Sequence, residues 1–332
     1  MKNFLLSLFL ICFLNMSAQD SDFNELVQNG IALHDAGDFD KAIAEYQKAL
    51  EIQPKSSLVH YEIAYSYFSI KDYEKAEEHA EKSINLDSQN LLPSYIVLGN
   101  SLDMQGKTKK ALKVYEKAIK KFKNYLLLYN YAYTNFKAGN VDAAEAAVLD
   151  AIENNASHAS SHLLLSQIMD QKGNRIAAML PLYYFLLLEP NSERAAREYR
   201  RLTGYMELGV KKTSEKSIDV NLPILDNSGF GPAELLLSMQ KATHITEGNV
   251  QKSKLELFAE TNQSLFSILS ELQEDHHGFY WDFYVSLYTD FVNADLVEPF
   301  SYFISLSQGD DALNWISANE EHFDQFKNWF EK

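Results

Sequence analysis

A small residue returns at the same places in every stretch of 33 to 35 residues between Phe23 and Ser192, and no other feature of the chain restricts its fold as tightly. Five segments align: Phe23–Lys55 with a one-residue extension, Ser57–Leu91, Leu92–Asn124, Tyr125–His158 and Ala159–Ser192. Their eighth positions hold Gly30, Ala64, Gly99, Ala132 and Ser166, and their twentieth hold Ala42, Ala76, Ala111, Ala144 and Ala178. The twenty-seventh holds Ala49, Ser83, Ala118, Ala151 and, breaking the rule, Phe185. Two helices approach closely only where neither carries bulk, so these positions mark the crossing of a helix pair in each segment. Large residues at the eleventh position, Leu33, Tyr67, Leu102 and Met169, fill the gap beside the crossing; Asn135 is the exception. An ordinary helical bundle has no reason to repeat small residues at a fixed period.

Between the two helices of each segment falls a turn: Gly37-Asp38, Lys71-Asp72, Gly106-Lys107, Gly139-Asn140 and Gly173-Asn174. Glycine there can take the left-handed conformation that ends a helix, and the polar residue after it is expected to cap the next one. Pro54 and Pro190 stand where the second helix should stop. On these residues the stretch 23–192, about half the chain, resembles the tetratricopeptide repeat (TPR) family. The resemblance implies an all-α protein: a right-handed α-solenoid of five TPR helix pairs, followed by a C-terminal helical domain. No pair can bury its apolar face alone, so the pairs stack and share a core. Glu193–Thr203 fits a closing helix, with Ala195, Ala196, Tyr199 and Leu202 on one side and arginines on the other.

The resemblance also implies a concave face, lined by the first helix of each pair, that holds peptides. Its inward positions are the second, fifth, ninth, twelfth and thirteenth. Repeat two offers Tyr61, Tyr65 and Phe68, and repeat four offers Tyr129, Tyr133 and Phe136. Repeat three places Ile96, Asn100, Asp103 and Met104 between them, and repeat five adds Leu163, Gln167 and Asp170. Two aromatic triads flanking a polar strip read as a recognition surface, because tyrosine gives large contact area at little cost in side-chain freedom. Asn100 is expected to bond a ligand backbone and Asp103 to meet a basic side chain. Rings packed on one another, or a groove filled by the C-terminal third, would account for the same residues. The family members that clamp the carboxylate tails of cytosolic chaperones use lysine or arginine at the fifth position and asparagine at the ninth. Here the first repeat has Val27 and Ile31, so that clamp is missing.

The formal charge of −16 is unevenly spread. From Gly204 onward there are 21 acidic and 8 basic residues, against 25 and 22 before it. Such a field disfavours nucleic acid and anionic lipid as partners. At the N-terminus Lys2, the apolar run Phe4 to Leu14 and Met16-Ser17-Ala18 read as a signal peptide over residues 1–18, cleaved before Gln19. Eleven residues are too few to span a bilayer. Cys12, the only cysteine, lies inside that run, and Ile11 before it argues against lipidation. The mature chain would then have neither disulfide nor thiolate metal site, nor a transmembrane segment. The expected location is periplasmic or secreted.

After Ser192 the rhythm stops. Residues 204–231 read as a linker, with Ile218 to Leu222 alternating like an extended segment. Residues 232–332 read as an acidic helical domain, with helices over Ala233–His244, Ser253–Gln273, Phe279–Ala294, Val297–Leu306 and Asp310–Phe330. Its last 55 residues hold 15 aromatics, Trp281, Trp315 and Trp329 among them. Helical spacing of Phe279, Phe283, Leu287 and Phe291 favours an aromatic core over a glycan-binding platform at Trp281, Tyr302 and Trp315.

Glu274-Asp275-His276-His277 with Asp282 reads as a solvated turn rather than a metal centre. His158 and His162 are four apart but lack the intervening glutamate of hydrolytic zinc sites. No nucleophile elbow, phosphate loop or dinucleotide fingerprint is present, so no enzyme, no cofactor and no metal are expected. The expectation is an exported protein–protein interaction module that takes a peptide or a partner helix on the concave face. The alternatives are a structural spacer in an envelope or secretion complex, and a carbohydrate-binding or enzymatic C-terminal domain.

Overall fold

The computed structural model describes residues 20–86, 91–214, 217–220, 229–246 and 252–331. The signal-like segment 1–18 and residues 221–228 of the expected linker lie outside them. The chain forms two compact units, the first ending at Ala147 and the second beginning at Val148.

The first unit is built of α1 (residues 20–35), α2 (Phe39–Ile52), α3 (Ser57–Ser69), α4 (Tyr73–Asn85), α5 (Leu91–Met104), α6 (Thr108–Ile119), α7 (Tyr125–Lys137) and the start of α8 (Val141–Asn154). The small residues carry the packing. Ala42, Ala76, Ala111 and Ala144 have no exposed surface, and neither do Ala49, Ser83 and Ala118 at the other crossing position. One cluster of apolar side chains runs from Phe23 to Ile63 and another from Ala64 to Leu127, and Tyr67 packs against both. The core is therefore continuous from one pair to the next, as stacked repeats require.

Glycine at the eighth position has a specific partner. A β-carbon on Gly30 would run into the Tyr46 ring, and one on Gly99 would lie 2.5 Å from Cε1 of Tyr115. Both tyrosines sit at the twenty-fourth position of their repeats and are fully buried. Repeat two has Ala64 and Ala80 at the same two places, so the crossing volume is shared out differently.

Each turn closes in the same way. Gly37, Lys71, Gly106, Gly139 and Gly173 all have φ between 66° and 82°. The amide that follows each donates to the carbonyl of the eleventh residue: Asp38 to Leu33, Asp72 to Tyr67, Lys107 to Leu102, Asn140 to Asn135 and Asn174 to Met169, at 2.8 to 3.0 Å. This six-to-one bond satisfies a carbonyl that the helix end leaves open. The capping expectation holds less well. Asp72 accepts from the Lys75 amide, but Asp38, Lys107 and Asn174 make no side-chain cap. Asp38 pairs with Lys41 instead. Asn135 is buried and satisfied, donating to the Tyr131 carbonyl at 3.0 Å and accepting from Asn140 at 3.1 Å.

The second unit holds the rest of α8, then α9 (Ala159–Gln171), α10 (Arg175–Leu188), α11 (Glu193–Glu207), α12 (Gly231–Thr246), α13 (Lys254–Leu272), α14 (Ser286–Asn293), α15 (Val297–Phe303), α16 (Asp310–Ala318) and α17 (Glu320–Phe330). The helix expected over Glu193–Thr203 runs on to Glu207. After it, β1 (Val210–Ser214) and β2 (Ser217–Val220) form a small antiparallel hairpin with Val210 opposite Val220. A π-helical turn, Tyr280–Val285, leads into α14, and α16 and α17 are two helices broken at Asn319.

The centre of this unit is α10. Twelve of its fourteen residues are buried, which a helix apolar on all faces demands. Tyr183 donates to Asn262 Oδ1 at 2.5 Å, and the Tyr288 hydroxyl donates to the Leu180 carbonyl at 2.8 Å. Its first residue, Arg175, is almost completely buried and pairs with Glu234 of α12 at 2.6 Å. The same guanidinium donates to the carbonyls of Leu208 and Glu234, both at 3.0 Å, and Glu234 accepts from the Ile176 amide. Every charge in that cluster has a partner, without which its burial would be costly.

Candidate peptide-binding face

The first helices of repeats two and four present matching tyrosine pairs. On α3 the Tyr61 and Tyr65 rings stack at 6.1 Å and 6°, and on α7 Tyr129 and Tyr133 stack at 6.3 Å and 16°. Residues four apart lie on one face of a helix, so each pair forms a short ladder. In each pair the outer ring is open to solvent: Tyr65 and Tyr133 are both 42% exposed. Their partners are half-buried, as are Phe68, Ile96 and Phe136. Tyr61, Phe68 and Ile96 pack against the core beneath, so they support the face more than they offer it.

The polar strip between the tyrosine pairs is engaged. Asn100 accepts from the Tyr115 hydroxyl at 2.6 Å. Asp103 is not an open site for a partner's cation: Lys137 of α7 already pairs with it at 2.9 Å, and the Thr108 hydroxyl donates to it at 3.2 Å. The Lys137 ammonium also lies 5.6 Å from the centre of the Tyr133 ring. Met104 beside this strip is exposed. Gln167 is half-buried and Leu163 buried on α9 of the second unit.

The α1 side of the face was not singled out from the sequence. His34 stacks on Tyr65 at 4.6 Å and 20°, and its Nδ1 bonds the Ser66 hydroxyl at 2.8 Å. Burial lowers its pKa, and Asp35 opposes that in part. Glu62, next to Tyr61, has its carboxyl pushed up to about 7, first by burial and then by Asp35, with the Tyr46 hydroxyl opposing. Burial, helped by Glu62, lifts the Tyr61 phenol to about 12. His34, Asp35 and Lys137 occupy twelfth and thirteenth positions of their repeats, so the inward-position rule would have found them had it been applied to every repeat.

In the second unit the candidate platform and ligand clusters are structural. Trp281 is buried, stacked on Phe230 at 4.7 Å and on His276 at 4.5 Å. Tyr302 is buried and lies flat on Trp315 at 4.2 Å. Trp281 and Tyr302 are therefore packing residues, and Trp315 is half-buried with one face on Tyr302. His276 Nδ1 bonds the Leu272 carbonyl, and Asp282 accepts from the Gly278 amide, so this cluster holds its own turn. His162 is fully buried: its Nε2 donates to the Ala156 carbonyl at 2.8 Å, which leaves Nδ1 to accept from the Tyr284 hydroxyl at 2.7 Å. Burial takes its pKa down to about 4. Among the described residues no helix is long and apolar enough to cross a membrane.

Comparison with family profiles agrees with this repeat pattern. Profiles described as TPR repeat and tetratricopeptide repeat match residues 30–71, 55–124 and 96–173. A similar curated protein is the small glutamine-rich tetratricopeptide repeat-containing protein 2 of Saccharomyces cerevisiae, 30% identical over 82 residues. That match spans 25% of this chain and 23% of the yeast protein. Among solved structures, Pseudomonas aeruginosa pilF aligns at 18% identity with a TM-score of 0.48, over 57% of this chain and 90% of that one. TTC0263, a thermophilic TPR protein of Thermus thermophilus, aligns at 18% identity with a TM-score of 0.46, over 56% of this chain and all of its own.

Proposed function

The chain is a tetratricopeptide-repeat protein, and from that premise we propose that it is an exported interaction module whose first unit binds an extended peptide or a partner helix on the face made by α3, α5 and α7. The observation that carries this reading is the pair of exposed rings, Tyr65 and Tyr133, each backed by a stacked tyrosine at the same position of its repeat. A ring held by its neighbour loses little freedom on binding, and exposed aromatics rimmed by polar groups are typical of contact surfaces. Export rests on residues 1–18, whose short basic start, apolar run and small residue at position 18 fit a cleaved signal.

The test is site-specific photocrosslinking in the cells that make the protein. A benzophenone side chain at position 65 or 133 is expected to capture the partner, while one at exposed Lys109 of α6 is not. Adducts from position 109 alone would refute the assignment of the face. For export, the mature protein is expected to begin at Gln19 by mass spectrometry; a cellular pool that retains Met1–Ala18 would refute it.

A further inference from the structure

We propose that the first unit has a second docking site, a notch between α4 and α6 that takes an acidic peptide segment of a partner protein. Lysines of α6 meet the acidic side chains, and one apolar side chain of the segment enters the notch. This surface is separate from the tyrosine face, and the inference does not depend on that reading.

Charge is the first observation. Residues 107–123, which contain all of α6, hold eight lysines and one glutamate in a chain whose formal charge is −16. Lys107 pairs with Glu77 of α4, and Glu116 accepts from the Tyr131 hydroxyl. Lys109, Lys110, Lys113, Lys117, Lys120 and Lys121 are exposed, and none of them makes an ion pair among the described residues. Lys113 has Lys109 and Lys117 four residues away on either side, so like charges repel along one face of the helix. The first turn of α6 has no acidic residue, and Lys109 and Lys110 stand there against the helix dipole. An acidic ligand offsets both effects.

A cavity is the second. Between α4, α5 and α6 lies a notch of about 420 Å³. Its floor is apolar, made by Tyr95 and Leu98 of α5 with the half-buried Ile84 and Val114 beside them. Exposed Lys113 and Lys117 border it on the α6 side, and exposed Glu81 and Asn85 on the α4 side. Lys109 does not line it. The Lys117 ammonium lies 5.9 Å from the centre of the Tyr95 ring, so a cation already stands over the aromatic floor. An apolar side chain that covers this floor leaves water, and an acidic neighbour of that side chain meets the lysines. The two lysines outnumber the one carboxylate across the notch. A membrane surface does not match these features. None of the exposed large hydrophobic residues lies between 105 and 123, so α6 has nothing to insert into lipid, and the net charge of the chain repels an anionic bilayer.

The experiment is a screen of random twelve-residue peptides with the full chain carrying Tyr65→Ala and Tyr133→Ala, which leaves out ligands of the tyrosine face. The retained peptides are expected to share two or more aspartates or glutamates beside one large apolar residue. Adding Lys113→Gln and Lys117→Gln should weaken the strongest of them about tenfold, and so should replacing its apolar residue with serine. A benzophenone side chain at that apolar position is expected to crosslink to Ile84, Tyr95 or Val114, read by mass spectrometry. Circular dichroism with a melting curve confirms that each variant is folded. Retained peptides without an acidic excess, equal affinity for the lysine variant, or crosslinks outside the notch overturn the inference. Self-association of the chain, or binding to phosphatidylserine vesicles, overturns it as well if either depends on the two lysines while no acidic peptide does. The occupant is then a second copy or a membrane. None of these outcomes bears on the tyrosine face, which the screened protein lacks.

Discussion

The Tyr115 ring occupies the space where a β-carbon on Gly99 would sit, and Gly30 and Tyr46 repeat the arrangement in the first helix pair, on the other side of repeat two. Tyr115 cannot swing aside easily, because it is fully buried and its hydroxyl is held by Asn100. Alanine at 99 gains up to about 1 kcal/mol of helix propensity but forces an overpacked crossing that costs about 1–3 kcal/mol. Gly99→Ala is therefore expected to destabilise the protein in urea unfolding. Adding Tyr115→Ala copies the Ala64 and Ala80 combination of repeat two, so the two changes should be non-additive, with Gly99→Ala costing nothing in the Tyr115→Ala background.

Lys71 is the one inter-helix turn residue among the five that is not glycine, although its φ of 66° is left-handed like the others. A side chain there is strained, and glycine relieves the strain at some cost in unfolded-state entropy. Lys71→Gly should raise stability by about 0.5–1 kcal/mol, seen as an upward shift of the melting temperature. No change would mean that the turn is relaxed in solution.

Glu62 makes stability depend on pH in an unusual direction for a carboxylate. Its folded value of about 7 lies above the ordinary 4.5, so between these values the native state holds the proton more tightly. Stability from this group falls as pH rises through that window. After allowance for its part-exposure the cost at pH 8 is about 1 kcal/mol. Glu62→Gln should therefore melt higher than the wild type at pH 8 and level with it at pH 4.

His162 works the other way. Its folded value of about 4 lies below the ordinary 6.5, so the unfolded chain binds the proton first as pH falls. The stability it contributes is complete above pH 6.5 and is lost progressively down to pH 4, roughly 3 kcal/mol in all. His162→Gln should lower stability at pH 7 and flatten the acid slope across this window. An unchanged slope would show that the Ala156 and Tyr284 bonds do not hold the ring neutral.

The ion pair between Arg175 and Glu234 joins α10 to α12 with both side chains buried. Glu234→Ala would leave a guanidinium in the interior without its counter-charge, a loss of about 3–5 kcal/mol. Arg175→Met with Glu234→Leu is expected to recover most of it, which a chemical-denaturation series on the three variants measures.

The positions that fix the repeat were open to reading from the chain because they obey local rules. Ala42, Ala76 and Ala111 are small because helices must cross, and Gly37 or Gly106 is glycine because a helix must end. Tyr65 and Tyr133 could be placed on the exposed face by the same periodicity. The pair of Asp103 with Lys137 could not be foreseen, since the two lie 34 residues apart and nothing local announces it. Charge pairing between successive first helices depends on their stacking. The apolar run of α10 did carry a signal: Leu180, Tyr183 and Leu187 leave no polar face for solvent, so something had to cover it.

Amino-acid order alone determined the helix pairs, their turns and the tyrosines of the first helices, because a 33-to-35-residue period and helical geometry leave few choices for residues near in sequence. Tertiary structure decided which charges remain unmatched. Lys137 pairs with Asp103, whereas the half-buried Glu62 has no ion pair among the described residues, and burial with Asp35 pushes its carboxyl up. Coulomb energy falls with distance and grows with burial, and both are set only when separate helices come to rest against one another.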